Sequence, residues 1–291
     1  MLQILWDCIL DALIDTVKLI PFLFITYLIM EYLERKTEER SAQAISKVGR
    51  FGPIVGGVLG VVPQCGFSAA ASSLYSGGLL TIGTLMAVFL STSDEMLPIF
   101  ISEQVPLLTM VKIIAAKAFI GVVAGLGIDF ILRFTRYRSK TEKRIHDLCE
   151  QEHCGCEEEE GGILHSAFVH TMHIVLFVFL ITLVLTILVE GFGAEALANL
   201  LSGQPFFGTL LAGLIGLIPN CAASITITQL YLQGMLGAGQ MMAGLLVGAG
   251  VGLLVLFRTN NHLKENLKIT AMLYVVGVFF GLVIELLGIT F

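Results

Sequence analysis

The chain has 291 residues, 56% of them hydrophobic and only 14% charged, with a formal net charge of −6 and a mean hydropathy of +0.87. That is more apolar surface than a soluble core of this length can hide, so the sequence describes a polytopic, all-α membrane protein. No basic patch interleaved with aromatics points to nucleic acid. The cysteines are split between apolar runs (Cys8, Cys65, Cys221) and one short loop (Cys149, Cys154, Cys156), which is no disulfide framework.

Residues 9–33 form an apolar run long enough for a span of ~20 residues. The run carries Asp11, Asp15 and Lys18 and lacks a small-residue cleavage site, so it reads as a retained helix. Residues 34–50 follow as a basic, amphipathic surface segment. Residues 52–76 are apolar but interrupted by Pro63-Gln64-Cys65-Gly66. Each half, at about 11 residues, reaches ~16 Å, roughly half the hydrocarbon thickness. Runs 79–100 and 107–134 can span, joined by the short turn 102–106, and a polar loop, 135–162, closes the first repeat, 1–134. The second repeat, 163–291, has a span at 163–189, a polar stretch at 190–204, another broken segment, and spans at 235–257 and 267–287.

The two halves match at an offset of 156 residues: Gly57 with Gly213, Gly60 with Gly216, Pro63 with Pro219, Cys65 with Cys221, Ser68 with Ser224, Tyr75 with Tyr231 and Gly78 with Gly234. Farther out, Gly83 pairs with Gly239, Gly121 with Gly277, Gly125 with Gly281, and Asp129 with Glu285. Charge bias then orients the repeats. Loops 34–50, 133–144 and 258–268 hold fourteen of the seventeen Lys and Arg residues. They share one side of the membrane only if each broken segment is a re-entrant hairpin, or two short crossings, rather than one broken span. The expected architecture is an inverted-topology internal repeat. Each half has three full spans plus a broken helical hairpin, about ten hydrophobic helical segments in all, and the Pro-x-Cys tips meet near the midplane. The basic loops are expected to be cytoplasmic and both termini outside.

Inverted repeats with broken helices at mid-depth mark secondary transporters. A break frees backbone carbonyls before it and amides after it, and these survive at membrane depth only inside protein or against a wet cavity. The candidate transport site is therefore Pro63, Gln64, Cys65, Gly66 and Ser68 with Pro219, Asn220, Cys221 and Ser224. The thiols would hold a soft ion, whereas the amide and carbonyl oxygens suit harder cations. The bland alternative is small residues that let helices cross closely.

Ser91-Thr92-Ser93-Asp94-Glu95, expected in the outer part of span 79–100, adds hydroxyls and two acids, whereas its counterpart Leu246–Val251 is uncharged. Asp94 and Glu95 read as a hard-cation or proton site, the alternatives being an interfacial helix end or ion pairs with Lys112 or Lys117. Asp11, Asp15, His170, His173 and Lys112 are candidates for proton coupling, against interior charge clusters and satisfied histidines. The loop bearing His146, Cys149, His153, Cys154 and Cys156, followed by Glu157–Glu160, has enough N and S donors for a tetrahedral metal site. A regulatory or metal-delivery role is the leading reading, with a reduced, disordered acidic linker as the alternative.

Over GVVPQCGFSAAASSLYSGGLLTIGTLMAVFLSTSDEMLPI, GLIPNCAASITITQLYLQGMLGAG and the His/Cys loop, the chain resembles the ten-helix heavy-metal exporter family, whose members carry labels such as arsenic efflux protein or manganese transporter. The resemblance implies export across a bacterial inner membrane. The leading expectation is a secondary exporter of a metal or metalloid ion, coupled to protons, with metal held by Cys65, Cys221 and Asp94. Two other readings stand beside it: a carrier of an organic solute or anion bound at the half-helix N-termini, and a membrane metal sensor or assembly factor acting through the loop. An enzyme is not expected, because no nucleophile, base and acid set stands out. No cofactor is required; a bound Zn, Mn or soft metal ion at the midplane or in the loop is the one inorganic group the residues suit. The implied partners are the transported ion and the bilayer, and a homo-oligomer is compatible with the sequence.

Overall fold

The computed structural model describes residues 51–62, 65–93, 96–134, 163–192 and 205–291, together with most positions between 9 and 28. The loops at 34–50, 135–162 and 193–204 lie outside the described residues, so the inter-repeat loop and its expected boundaries are not addressed by it. Every element among the described residues is a helix. The first, α1, lies within 9–28. It is followed by α2 (Gly52–Leu59), α3 (Cys65–Ser76), α4 (Ile82–Ser91), α5 (Met96–Ser102) and α6 (Leu107–Phe134). The second half contains α7 (Ile163–Phe192), α8 (Pro205–Gly216), α9 (Cys221–Leu232), α10 (Ala238–Val247), α11 (Val251–Thr259) and α12 (Leu263–Leu286).

Helix starts repeat with the sequence. Cys65 and Cys221, Ile82 and Ala238, and Leu107 and Leu263 each open a helix and stand 156 positions apart. So do the stops. Gly78 (φ 77°) and Gly234 (φ 73°) adopt the left-handed conformation that closes a helix without a Cβ clash. The amides of Leu79 and Met235 each bond back to a carbonyl in the last turn, Leu74 and Leu230, at 2.9 Å. The same glycine-terminated stop ends α3 and α9.

Five segments are long and apolar enough to cross a membrane: Ile82–Ser102, Leu107–Leu132, Ala167–Val184, Ala238–Thr259 and Leu263–Leu286. Two of them depart from expectation. The sequence predicts unbroken spans over 79–100 and 235–257, yet each is two short helices, interrupted at 92–93 and at 248–250. Ser91 to Ser93 is accordingly not in the outer part of its span but between its two halves, and all three residues are buried. At the first interruption the Ser91 and Thr92 hydroxyls bond back to carbonyls of their own helix, a pattern that bends helices. At the second, Gly250 has a positive φ of 53°.

The broken spans form the centre. Every residue from Gly83 to Ser91 and from Ala238 to Val247 is buried. Around them α6, α7 and α12 turn apolar side chains such as Phe119, Phe130, Leu176 and Phe279 outward, the arrangement a lipid-facing layer requires. The larger core draws on α3 to α6 and α8 to α12; another joins α1 and α7 to α3 and α11 through Leu23, Tyr27, Ala69, Ile174 and Val255.

Small residues set the spacing. A Cβ on Gly121 would lie 2.8 Å from the Ala87 carbonyl oxygen, and one on Gly281 would lie 2.8 Å from the Gly239 carbonyl oxygen. In both halves, therefore, the long helix touches the broken span backbone to backbone, through Gly121/Gly125 on α6 and Gly277/Gly281 on α12, the small-xxx-small pattern of membrane helix contacts. Gly52, Gly56 and Gly60 meet Thr84, Val88 and Ser91 in that order, so α2 and α4 run side by side in the same direction. By the same test α4 runs against α6, since Gly83 meets Gly125 and Asp129 while Gly121 meets Ala87.

The duplicated acids Asp129 and Glu285 acquire a role in this packing. Asp129 accepts the Gly83 amide at 2.9 Å and the Thr81 hydroxyl at 2.7 Å, and Glu285 accepts the Gly239 amide at 3.0 Å. Each carboxylate caps the N-terminus of the neighbouring broken span, satisfying a first-turn amide and opposing the helix dipole. Asp129→Ala and Glu285→Ala should each destabilise the protein by about 1 kcal/mol, and the effects should add because the sites share no partner. Thermal melts in detergent of both single variants and the double variant check this.

Candidate transport site at the helix breaks

Among the described residues the chain is interrupted at four places: 60–62, 92–93, 217–220 and 248–250. Packing brings them together. Ser68, one turn into α3, lies directly on Gly252 at the start of α11, and on the next turn the Ser72 hydroxyl donates to the Gly252 carbonyl at 2.6 Å. Ser224, one turn into α9, puts its hydroxyl 3.3 Å from where a Cβ on Gly248 would stand. Both half-helices that begin with a cysteine thus flank the break between α10 and α11.

Lys117 joins this break to the one in the first half. Its residue is 1% exposed, and its ammonium donates to the Thr92 carbonyl, at the C-terminal end of α4, and to the Leu245 carbonyl, in the last turn of α10, at 3.0 Å. Ser91, Thr92 and Ser93 are 0%, 5% and 2% exposed beside it. Their hydroxyl protons go to backbone carbonyls of Ala87, Val88 and Ser91, which leaves the oxygens able to act as ligands.

Of the residues named from the sequence, Gly66 and Ser68 are buried near the start of α3, Asn220 is buried at the N-cap position of α9, and Pro219 and Ser224 are half-buried beside it. Cys65 and Cys221 open their helices, although their side chains lie outside the described residues. The same holds for the His170 side chain, and Pro63, Gln64, Asp94, Glu95, Asp11, Asp15 and the loop residues His146, Cys149, His153, Cys154 and Cys156 also lie outside them. Lys112 and His173 are exposed and are not brought to the crossing. Among the described residues, no three His, Cys, Asp or Glu side chains gather as a metal cluster.

Lys117 is the residue that sequence reasoning undervalued, treating it as one of two counter-ions for Asp94. A signal was present: Lys18, Lys112 and Lys117 are the only basic residues outside the three basic loops. Periodicity did not say which of them points inward.

At one end of the crossing, α3 and α11 are tied by polar contacts. The Ser76 and Thr259 hydroxyls are 2.7 Å apart, and Tyr75 also ties α3 to the first turn of α12, donating to the Glu265 carboxylate. The corresponding pairing of α9 with α5 has Leu232 in place of Ser76, so the equivalent contacts of the two halves are not the same.

A helical protein with several membrane-length segments, whose central spans break where backbone carbonyls and a cation are buried inside the protein, is a multi-pass membrane protein. The chain matches, over residues 3–196, the family described as "Putative, 10TM heavy-metal exporter". The match covers well over half its length, and the chain belongs to that family. The matched stretch includes the first Pro-x-Cys break and ends before Pro219. No curated protein and no solved structure matches the chain.

Proposed function

We propose that the protein is a secondary exporter of a metal or metalloid ion, with its site at mid-depth where the two cysteine-led half-helices meet the interrupted spans. The observation that carries this is the clustering of the interruptions through Ser68 on Gly252, Ser224 by Gly248, and Lys117 between Thr92 and Leu245. Cys65, Cys221, Gln64 and Asn220 supply the ligands in this reading, Asp94 serves a harder cation, and protons moving inward drive export.

The halves are inverted in this reading and 52–76 is a re-entrant hairpin. The parallel run of α2 and α4 supports the hairpin, because the chain must turn back between them. The Ser76–Thr259 contact supports the inversion: it sets the end of α11 level with the start of α4, so α10, at the far end of that span, starts from the opposite side. The basic loops are cytoplasmic, following the positive-inside rule.

The experiment is a flux panel in proteoliposomes with Mn(II), Zn(II), Cd(II), arsenite and antimonite under an imposed proton gradient. Accumulation of at least one of them above empty vesicles is expected, collapsing with a protonophore. No transport of any would sink the reading. One observation favours an anionic cargo instead, the buried ammonium of Lys117 at the interruptions of the two central spans. Arsenate belongs in the panel as the arm that detects it.

A further inference from the structure

We infer that the carbonyls around Lys117 constitute a monovalent-cation site that the protein fills with its own ammonium group. The two acceptors are of the kind such a site uses, the remaining ligands of a free ion being water or the hydroxyls beside them. Thr92 is the C-cap of α4, with ψ 128° taking its carbonyl out of the helical path. Leu245 has lost its intrahelical donor: the amide four positions on, Ala249, bonds to Val247 at 2.8 Å instead. Both are helix C-terminal carbonyls freed by a break, at the negative ends of two helices that converge on one point. Unwound carbonyls and half-helix C-termini are the groups that coordinate a coupling cation in broken-helix transporters. Here Lys117 donates to both.

Packing alone does not call for an ammonium at this place in the fold. The position equivalent to Lys117 in the second half is Leu273, which is 0% exposed and fills its site with hydrocarbon. An amine buried at the middle of a spanning helix is costly unless it has a task. The task the geometry assigns is to hold the two interrupted spans together as a tethered cation, so that no free sodium or potassium ion is needed there. The inference rests on the transport reading only for the meaning of the site within a cycle. Its test reads stability, so its failure and the failure of the flux panel are separate results.

The test is the thermal unfolding midpoint of Lys117→Ala and Lys117→Ser in detergent, measured at equal ionic strength in NaCl, KCl, methylammonium chloride and choline chloride. Serine leaves a hydroxyl oxygen as a further ligand for the incoming ion. Wild type should melt at the same temperature in all four salts. At least one variant should be stabilised by about 5 °C in sodium, potassium or methylammonium relative to choline, the response to a ligand that binds only the folded state. Variants that melt equally in every salt, variants that none of the cations restores to the folded form, or a wild type that itself requires sodium or potassium would each overturn the inference.

Discussion

Gly125→Leu should abolish folded protein, whereas Gly127→Leu, two residues along the same helix, should leave it intact. A Cβ at Gly125 would collide with the Gly83 carbonyl and come within 2.9 Å of the Ala87 Cβ, while around Gly127 nothing lies within 4 Å. The obstruction at Gly125 is backbone of the buried broken span, which cannot rotate away as a side chain could. Overpacking a core ordinarily destabilises by about 1–3 kcal/mol. Here four added heavy atoms must also push α6 off α4, removing the close contact along the whole seam and stretching the Asp129 cap on Gly83. Loss of the monodisperse peak in size-exclusion chromatography for Gly125→Leu, beside an unchanged peak for Gly127→Leu, is the expected pair of results. Equal behaviour of the two variants would show that the glycine seam does not hold the helices.

The second large effect is on transport. If the cargo is a soft ion, Cys65→Ser with Cys221→Ser should lower its flux at least ~10-fold, because replacing thiolate by hydroxyl removes the ligand preference for thiophilic metals. The folded fraction should stay near wild type, since sulfur and oxygen differ little in volume at two helix starts. If the cargo is manganese or another hard cation, the double variant should retain flux and Asp94→Asn should lose it instead. Initial rates for Cd(II), arsenite and Mn(II) across the three proteins distinguish these outcomes. Unchanged flux of every ion in the double variant and in Asp94→Asn would remove both breaks from the site and leave the organic-solute or anion reading.

Much of this architecture was legible in the residues. Membrane class follows from composition, and the duplication follows from Pro63/Pro219, Cys65/Cys221 and Gly78/Gly234, which the structure turns into equivalent helix starts and identical glycine stops. Other features were visible as matches without a meaning. Asp129 and Glu285 could be aligned, yet only the crossing of α6 over α4, and of α12 over α10, shows them to be caps. The interruptions at 92–93 and 248–250 carry no proline, and neither a hydroxyl pair nor Gly-Ala-Gly by itself distinguishes a broken helix from a continuous one.

The sequence by itself determined that the chain lives in a bilayer, that it is built twice, and where its half-helices end. These are properties of composition, of the spacing between repeated residues and of local backbone preference, and none needs a side-chain contact to be known. Tertiary structure decided which polar groups meet. Lys112 and Lys117 lie on the same apolar helix only five positions apart, and one is exposed while the other is buried between two broken spans. The difference is set by what packs against each face of α6. That depends on contacts with residues 25 and 128 positions away, which no local pattern in the chain records.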